Sequence, residues 1–372
     1  ESGGINMRIF SGRRSVFASC FLVSLVLACN IGLAEEIESV TVSATPLNVN
    51  EAGSSVSIIT KEDISARGLP SIQSLLREVA GFAVSQQGSQ GAVTQLRARG
   101  AEANQILVLI DGVEANDIAQ GSEFDFSQLS TSDIERIEIV RGPQSALWGS
   151  DALAGVVHVV TSSLDQKEST QLMLETGSFS TKRVSGISQR NMGNHWVRIS
   201  GDYRDSEGTN ISRVGDERDG FQSLNLGISG TWSFSDGAHV DYSIRHIDRE
   251  TDFDRFDFFV TGLPADAENR TNSKYLYAGL SLEQKVSETL NHSITFNRTD
   301  SDNETIDADP VNDLTKGTKD VFKYQLNYLS SLHSLSALLE HESQDYTQSG
   351  QASFFGDPNK RLKSKTKSIA AE

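Results

Sequence analysis

The chain has 372 residues, with 33 Lys and Arg against 50 Asp and Glu, a formal net charge of −17, thirty glycines and two cysteines. Such an acidic excess, with a pI near 4.9, excludes a nucleic-acid binder, because neutralising phosphates takes clustered Lys and Arg. A mean hydropathy of −0.32, with no long apolar run after residue 34, excludes a multi-helix membrane protein but not a β-barrel, whose strands are apolar on one face only.

The first segment reads as an address. Arg8, Arg13 and Arg14 precede an apolar stretch from Val16 to Leu27, small residues stand at Gly32 and Ala34, and Glu35 and Glu36 follow. This is the pattern of a secretory signal peptide cleaved after Ala34. A membrane helix would need a longer apolar core; a lipid anchor at Cys29, after Val26-Leu27-Ala28, is a further reading. Residues 1–34 are thus a leader, with Glu1 to Asn6 as an extension ahead of the first Met. Both cysteines, Cys20 and Cys29, lie inside it, so the mature chain needs no disulfide or thiolate chemistry.

From Val40 to Ser163 helix and strand signals alternate closely. Thr60 and Asp63 have capping-box spacing, and Ser71 precedes Ile72, Leu75, Leu76 and Val79, an apolar series at helical spacing that stops at Gly81. Ile106 to Ile110 is a short continuous apolar run ended by Asp111-Gly112, the mark of a buried strand with a turn. Ile134 to Val140 and Val156 to Val160 give two more strands. The expectation is a small α+β domain.

After Ser163 the pattern changes to period two. Val197, Ile199 and Tyr203 alternate with polar residues, as do Leu224, Leu226 and Ile228, then Val240, Tyr242 and Ile244, then Phe322, Tyr324, Leu326 and Tyr328. Each stretch is long enough for a tilted strand to cross a bilayer. A soluble antiparallel sandwich gives the same alternation, but the connections separate the two. Very short turns, at Met192-Gly193-Asn194, Ser235-Asp236-Gly237, near Ser287 and at 331–333, alternate with long polar loops expected over 205–221, 249–272, 300–317 and 347–360. That sorting puts every long loop on one side, as in outer-membrane barrels.

Four motifs then occur in one order: Arg99-Gly100; Leu107-Val108-Leu109-Ile110-Asp111-Gly112-Val113; Ile134-Glu135-Arg136-Ile137-Glu138-Ile139-Val140-Arg141-Gly142-Pro143; and Ser145-Ala146-Leu147-Trp148-Gly149-Ser150-Asp151-Ala152. Together they resemble the plug domain of TonB-dependent outer-membrane receptors, most similar to the cobalamin-transporting branch. Glu38, Ser39, Val40, Thr41, Val42, Ser43 and Ala44 resemble that family's TonB box, an extended segment able to add as a strand to a partner's sheet edge. The sequence departs from the pattern at Ala154, where a second glycine is usual, and at His158, where asparagine is common. The resemblance implies a signal peptide (1–34), a TonB-box segment (35–46), an α+β plug domain (47–163) and antiparallel transmembrane β-barrel strands (164–372). It implies an outer-membrane location, no enzyme activity, the TonB C-terminal domain as partner, and a barrel of 22 strands. About ten strands can be counted, too few to enclose a domain of this size, so the expectation is a fragment that does not transport alone.

The resemblance also assigns sites. Arg99 and Arg141 match arginines that face barrel glutamates, a reversible plug–barrel lock; the alternative is solvated surface pairs. The apical loops carry Gln86, Gln87, Ser89, Asn116, Gly121 and Ser122, amides and hydroxyls that suit a large, near-neutral, hydrogen-bonding ligand such as cobalamin. A ferric siderophore or haem is the alternative ligand, and an adhesin or phage-binding barrel without transport the alternative function. Residues 248–270 hold seven carboxylates and three arginines, and 300–320 hold seven carboxylates and two lysines. Asp216, Glu217, Asp219 and Asp254 resemble loop positions that coordinate calcium in the cobalamin branch, and oxygen ligands are what a hard cation selects; solvated loops bridged to lipopolysaccharide are the other reading. No covalent cofactor is expected, a monomer surrounded by outer-membrane lipid is, and no zinc spacing, Walker loop or nucleophile elbow occurs.

Overall fold

The computed structural model describes residues 39–40, 47–48, 55–68, 71–161, 167–213, 215–257, 260–307, 312–330, 333–352 and 356–371. Residues 1–34, read from sequence as a leader, and, from the segment that resembles a TonB box, Glu38 and Thr41 to Ala44 lie outside them. Two short strands, β1 (Ser39–Val40) and β2 (Leu47–Asn48), pair antiparallel at the start.

β3 (Ser55–Thr60) passes directly into α1 (Lys61–Arg67). The Thr60 hydroxyl accepts from the Asp63 amide and the Asp63 carboxylate accepts from the Thr60 amide, the reciprocal cap its spacing predicts. Gly68, at φ 58°, closes the helix in the left-handed conformation. α2 (Ile72–Arg77) follows and buries Ile72, Leu75 and Leu76 on one face.

β4 (Phe82–Gln86) and β5 (Thr94–Ala98) form an antiparallel pair of their own. β6 (Ile106–Ile110), β7 (Val113–Glu114), β8 (Arg136–Arg141) and β9 (Gly155–Val160) join β3 in a five-stranded sheet of order β3-β8-β9-β6-β7, with β6 and β9 parallel; α3 (Ser145–Trp148) links β8 to β9. β6 is apolar throughout because both of its faces are covered. Ile106, Val108 and Ile110 enter the larger core with α2, whereas Leu107 and Leu109 meet Val140, Ala152 and Val156 on the other side. At Gly155 a Cβ would stand 2.6 Å from the Val140 carbonyl oxygen, so only glycine lets β8 and β9 approach.

The remaining strands make one antiparallel meander of ten: β10 (Ser169–Thr176), β11 (Lys182–Asn191), β12 (His195–Thr209), β13 (Asp219–Ser235), β14 (Ala238–Phe256), β15 (Pro264–Ser287), β16 (Leu290–Ile306), β17 (Asn312–Leu329), β18 (Ser334–Ser349) and β19 (Lys360–Ala371). Side chains alternate across it. On β14, Arg245, Ile247 and Arg249 are buried against the plug while Ile244 is exposed; Ile199, Leu224, Leu226, Ile228, Leu280, Phe296 and Phe322 share that exposed outer face. An apolar outer wall around a polar lumen is the arrangement of a barrel in lipid. Among the described residues no helix is long and apolar enough to cross a membrane.

One expectation fails. The long loops are shorter than the sequence suggests, because the ladders run on through the polar segments: β14 extends to Phe256 and β15 begins at Pro264. Cross-strand ion pairs hold these extensions, including Arg270 to Glu250 (2.7 Å) and Asp252 (2.8 Å), Lys316 to Asp302 (2.5 Å) and Arg298 to Asp320 (3.2 Å). A polar, acidic stretch with few prolines can remain strand wherever its neighbour supplies opposite charges.

Candidate functional site

Two plug loops stand at the barrel end opposite the short turns. The first, after β4, reaches the start of β13: Ser89 Oγ donates to the Asp219 carbonyl (2.7 Å), and Arg249 Nη2 donates to the Gly91 carbonyl (2.5 Å). Gly91 (φ 94°) lies so near the Phe221 ring that a Cβ would sit 2.4 Å from it. In the second, Asp117 caps the turn Ile118–Gln120 by accepting from the Ala119 amide (2.8 Å), and Gly121 ends that turn at φ 69°.

The residues expected to meet a ligand divide into two groups. Gln87 and Gly121 are exposed, and Gln86 and Ser122 half-buried. Ser89 and Asn116 are buried and already bonded, which corrects their assignment. Asn116 Nδ2 donates to the Ile106 and Ser122 carbonyls and its Oδ1 accepts from the Val108 amide (2.8 Å), so this side chain shapes the loop and offers nothing outward. Gln86 is partly engaged too, donating to the Ser89 carbonyl (2.7 Å).

Beside the first loop, Glu217, Asp219 and Asp254 bring one carboxylate oxygen each within 4.8 Å of one another. Asp219 Oδ2 accepts from the Ile211 amide and Asp254 Oδ1 from the Ala267 amide, which fixes both carboxylates. Glu217 Oε2, Asp219 Oδ1 and Asp254 Oδ2 are buried and have no hydrogen-bond partner among the described residues. Burial, followed by the facing carboxylates of Asp219 and Asp254, pushes the Glu217 carboxyl up to about 7. Three converging, unsatisfied oxygens are a donor set that fits a hard cation. Asp216 is exposed and stands outside the trio.

Plug and barrel are joined by ion pairs of a polarity opposite to the expected lock. Plug Glu114 lies between barrel Lys319 (2.7 Å) and Lys323 (3.1 Å), which in turn meet Glu342 (3.1 Å) and Glu340 (3.2 Å). Plug Asp133 meets Arg245 (2.6 Å) and plug Asp125 meets Arg249 (2.6 Å). Burial alone would raise the Glu114 carboxyl, but the ammonium groups of Lys323 and Lys319 hold it down at about 2. Arg245 and Arg198 likewise outweigh burial at Asp133 and lower it. Asp117 differs: among the described residues its carboxylate accepts from neutral groups, Ser301 Oγ, Asn303 Nδ2 (2.8 Å) and the Ala119 amide, and burial raises it.

Arg141 donates to the Ala80 carbonyl (2.9 Å) and to Ser57 Oγ (2.7 Å), both within the plug. Arg99 is exposed, at φ 51°. Among the described residues, then, neither arginine meets a barrel glutamate, and the observed charge pairs run from plug carboxylates to barrel cations. Strand parity holds the signal that would have found them: Arg198, Arg245, Arg249, Lys319 and Lys323 all sit at luminal positions of otherwise alternating strands.

Comparison with known proteins agrees with this architecture. Residues 48–156 match the family model described as the TonB-dependent receptor plug domain. The vitamin B12 transporter BtuB of Vibrio vulnificus (strain CMCP6) is 29% identical over 282 residues, covering 73% of this chain and 46% of that protein. Among solved structures, the alcaligin outer-membrane receptor FauA from Bordetella pertussis superposes with a TM-score of 0.69 at 14% identity, over 90% of this chain and 54% of that one. The ferripyoverdine receptor of the Pseudomonas aeruginosa outer membrane does so with a TM-score of 0.68 at 12% identity, over 88% and 50%. The chain thus spans about half the length of the relatives it matches. Residues 48–156 therefore carry a TonB-dependent receptor plug domain, and, with that plug running into antiparallel barrel strands, the chain is similar to TonB-dependent outer-membrane receptors such as BtuB.

Proposed function

We propose that this chain forms the plug and plug-facing wall of a receptor that imports cobalamin, or a related large chelate, using energy delivered through TonB. The observation that carries the reading is the chemistry of the apical face. Gln87, Gln90, Gln120 and Ser122 present amides and hydroxyls there, beside loops fixed to the barrel by Ser89 and Arg249. Neutral donors and acceptors suit a ligand with many amides and little net charge. The similarity to a vitamin B12 transporter points the same way, whereas the siderophore receptors share only the fold.

Calorimetric titration of the full-length receptor tests this directly. Saturable binding of cyanocobalamin, with none of ferric chelates, is the expected result; the reverse pattern assigns a siderophore receptor. Coupling to TonB is a second part of the reading, resting on Glu38 to Ala44. Val42→Pro, which removes a backbone donor from an added strand, is expected to abolish binding of an isolated TonB C-terminal domain while ligand affinity stays unchanged. Calcium is the third part: Glu217, Asp219 and Asp254 would hold it through their unpaired oxygens. Because Asp219 also accepts the Ser89 hydroxyl through its carbonyl, an ion there would brace the first apical loop.

A further inference from the structure

A second cluster of metal-binding side chains lies at the other end of the lumen and takes no part in the reading above. His239 and Asp241 share the luminal face of β14 with Arg245, and Glu283 is the cross-strand partner of His239 on β15. His239 Nε2 stands 3.3 Å from Asp241 Oδ2 and 3.6 Å from Glu283 Oε2, and donor atoms of all three residues lie within 4.8 Å of one another. Donors bound tetrahedrally to zinc at about 2.0–2.1 Å are about 3.3 Å apart, so the imidazole and carboxylate oxygens already have nearly the right spacing. Thr231 Oγ1 donates to the other Asp241 oxygen (2.5 Å) and turns the free one toward the histidine. Such an outer hydrogen bond is what orients a metal ligand.

Among the described residues no lysine or arginine forms an ion pair with Asp241 or Glu283. The register places Ser233 opposite His239, Thr231 and Ser281 on either side of Asp241, and Ser293 opposite Glu283. Lys285, the next luminal residue of β15, pairs with Glu288 (2.9 Å). Two carboxylates and an imidazole nitrogen converge on one point open to the lumen, and the like charges of Asp241 and Glu283 favour a positive centre between them. At plug Glu114, Asp125 and Asp133, by contrast, a barrel lysine or arginine meets the carboxylate. We propose that His239, Asp241 and Glu283 bind one divalent transition-metal ion of the zinc and cobalt type, with a fourth position open to the lumen, at the barrel end that carries the short turns. Nitrogen plus oxygen ligands favour such an ion over calcium, which the all-oxygen trio at the opposite end suits better.

The test uses tag-free full-length receptor in detergent, with Glu217→Gln and Asp219→Asn introduced to remove the other cluster. Cobalt(II) titration is expected to give one equivalent of bound ion with the intense visible absorption of a tetrahedral site, displaced by zinc. His239→Ala should abolish that absorption, and Asp241→Asn and Glu283→Gln, which keep side-chain shape, should each weaken binding at least about tenfold. Thr231→Val should weaken it roughly 10–100-fold. If the parent binds no cobalt, or binds it unchanged in His239→Ala, the trio is only a protonated histidine bridging two carboxylates and the proposal is wrong. Unchanged heat-shifted mobility in gels shows that each variant is folded.

Discussion

Glu114 illustrates how one side chain ties the two parts of the molecule together. Its carboxylate is held near a pKa of 2 by two buried ammonium groups, so its contribution is fully present above the ordinary value of 4.5 and is lost as pH falls from there toward 2. Glu114→Gln is expected to lower stability at neutral pH by about 1–3 kcal/mol. This is less than the roughly 3–5 kcal/mol of an ion left wholly uncompensated, since Lys319 and Lys323 keep Glu342 and Glu340. Thermal melts at several pH values check both points: the variant should show a flatter decline below pH 4.5. At the acidic trio, added calcium should raise the melting temperature of the parent and leave Asp219→Asn unmoved. Sequence reading located this trio in part, naming Glu217, Asp219 and Asp254 alongside the exposed Asp216. It failed at Ser89 and Asn116, because composition tells that a loop is polar and not whether an amide points outward or clamps its own backbone.

The elements were legible wherever local chemistry decides them. The Thr60–Asp63 cap, the buried face of α2 and the doubly covered β6 all follow from spacing within a few residues. Strand length was not legible, since what carries β14 and β15 past the bilayer is pairing between residues far apart in sequence. The plug also fits its wall through positions that spacing does not flag. At Gly279 a Cβ would meet Val113 Cγ2 at 2.7 Å, and at Gly317 it would meet Ile118 Cγ1 at 2.6 Å, so barrel glycines make room for β7 and the second apical loop. Gly317→Val should therefore push Ile118 and Ala119 inward and cost about 1–3 kcal/mol by overpacking. Ligand titration should register the displaced loop as weaker binding, whereas Gly186→Val, in β11 where a Cβ would meet nothing nearer than 3.8 Å, should leave affinity unchanged.

For the whole molecule, alternation along ten strands is what made a barrel readable: lipid-side and lumen-side residues carry opposite chemistry, and the turns sort by length. Ile244, exposed on the outer wall between Ile228 and Ala278, should tolerate leucine, whereas Ile244→Arg should cost about 2–4 kcal/mol in a bilayer, measured by reversible unfolding from vesicles. The order β3-β8-β9-β6-β7 has a mechanical meaning as well. β3 is the first strand of that sheet along the chain and also one of its edges, bonded only to β8 through six register pairs from Ser55–Arg141 to Thr60–Arg136. Tension arriving from the amino-terminal side therefore reaches Ser55 first and can peel β3 away pair by pair, as a zipper opens. The force needed is that of one rung at a time rather than of six sheared together, and β8, β9, β6 and β7 stay bonded to one another while the edge comes loose.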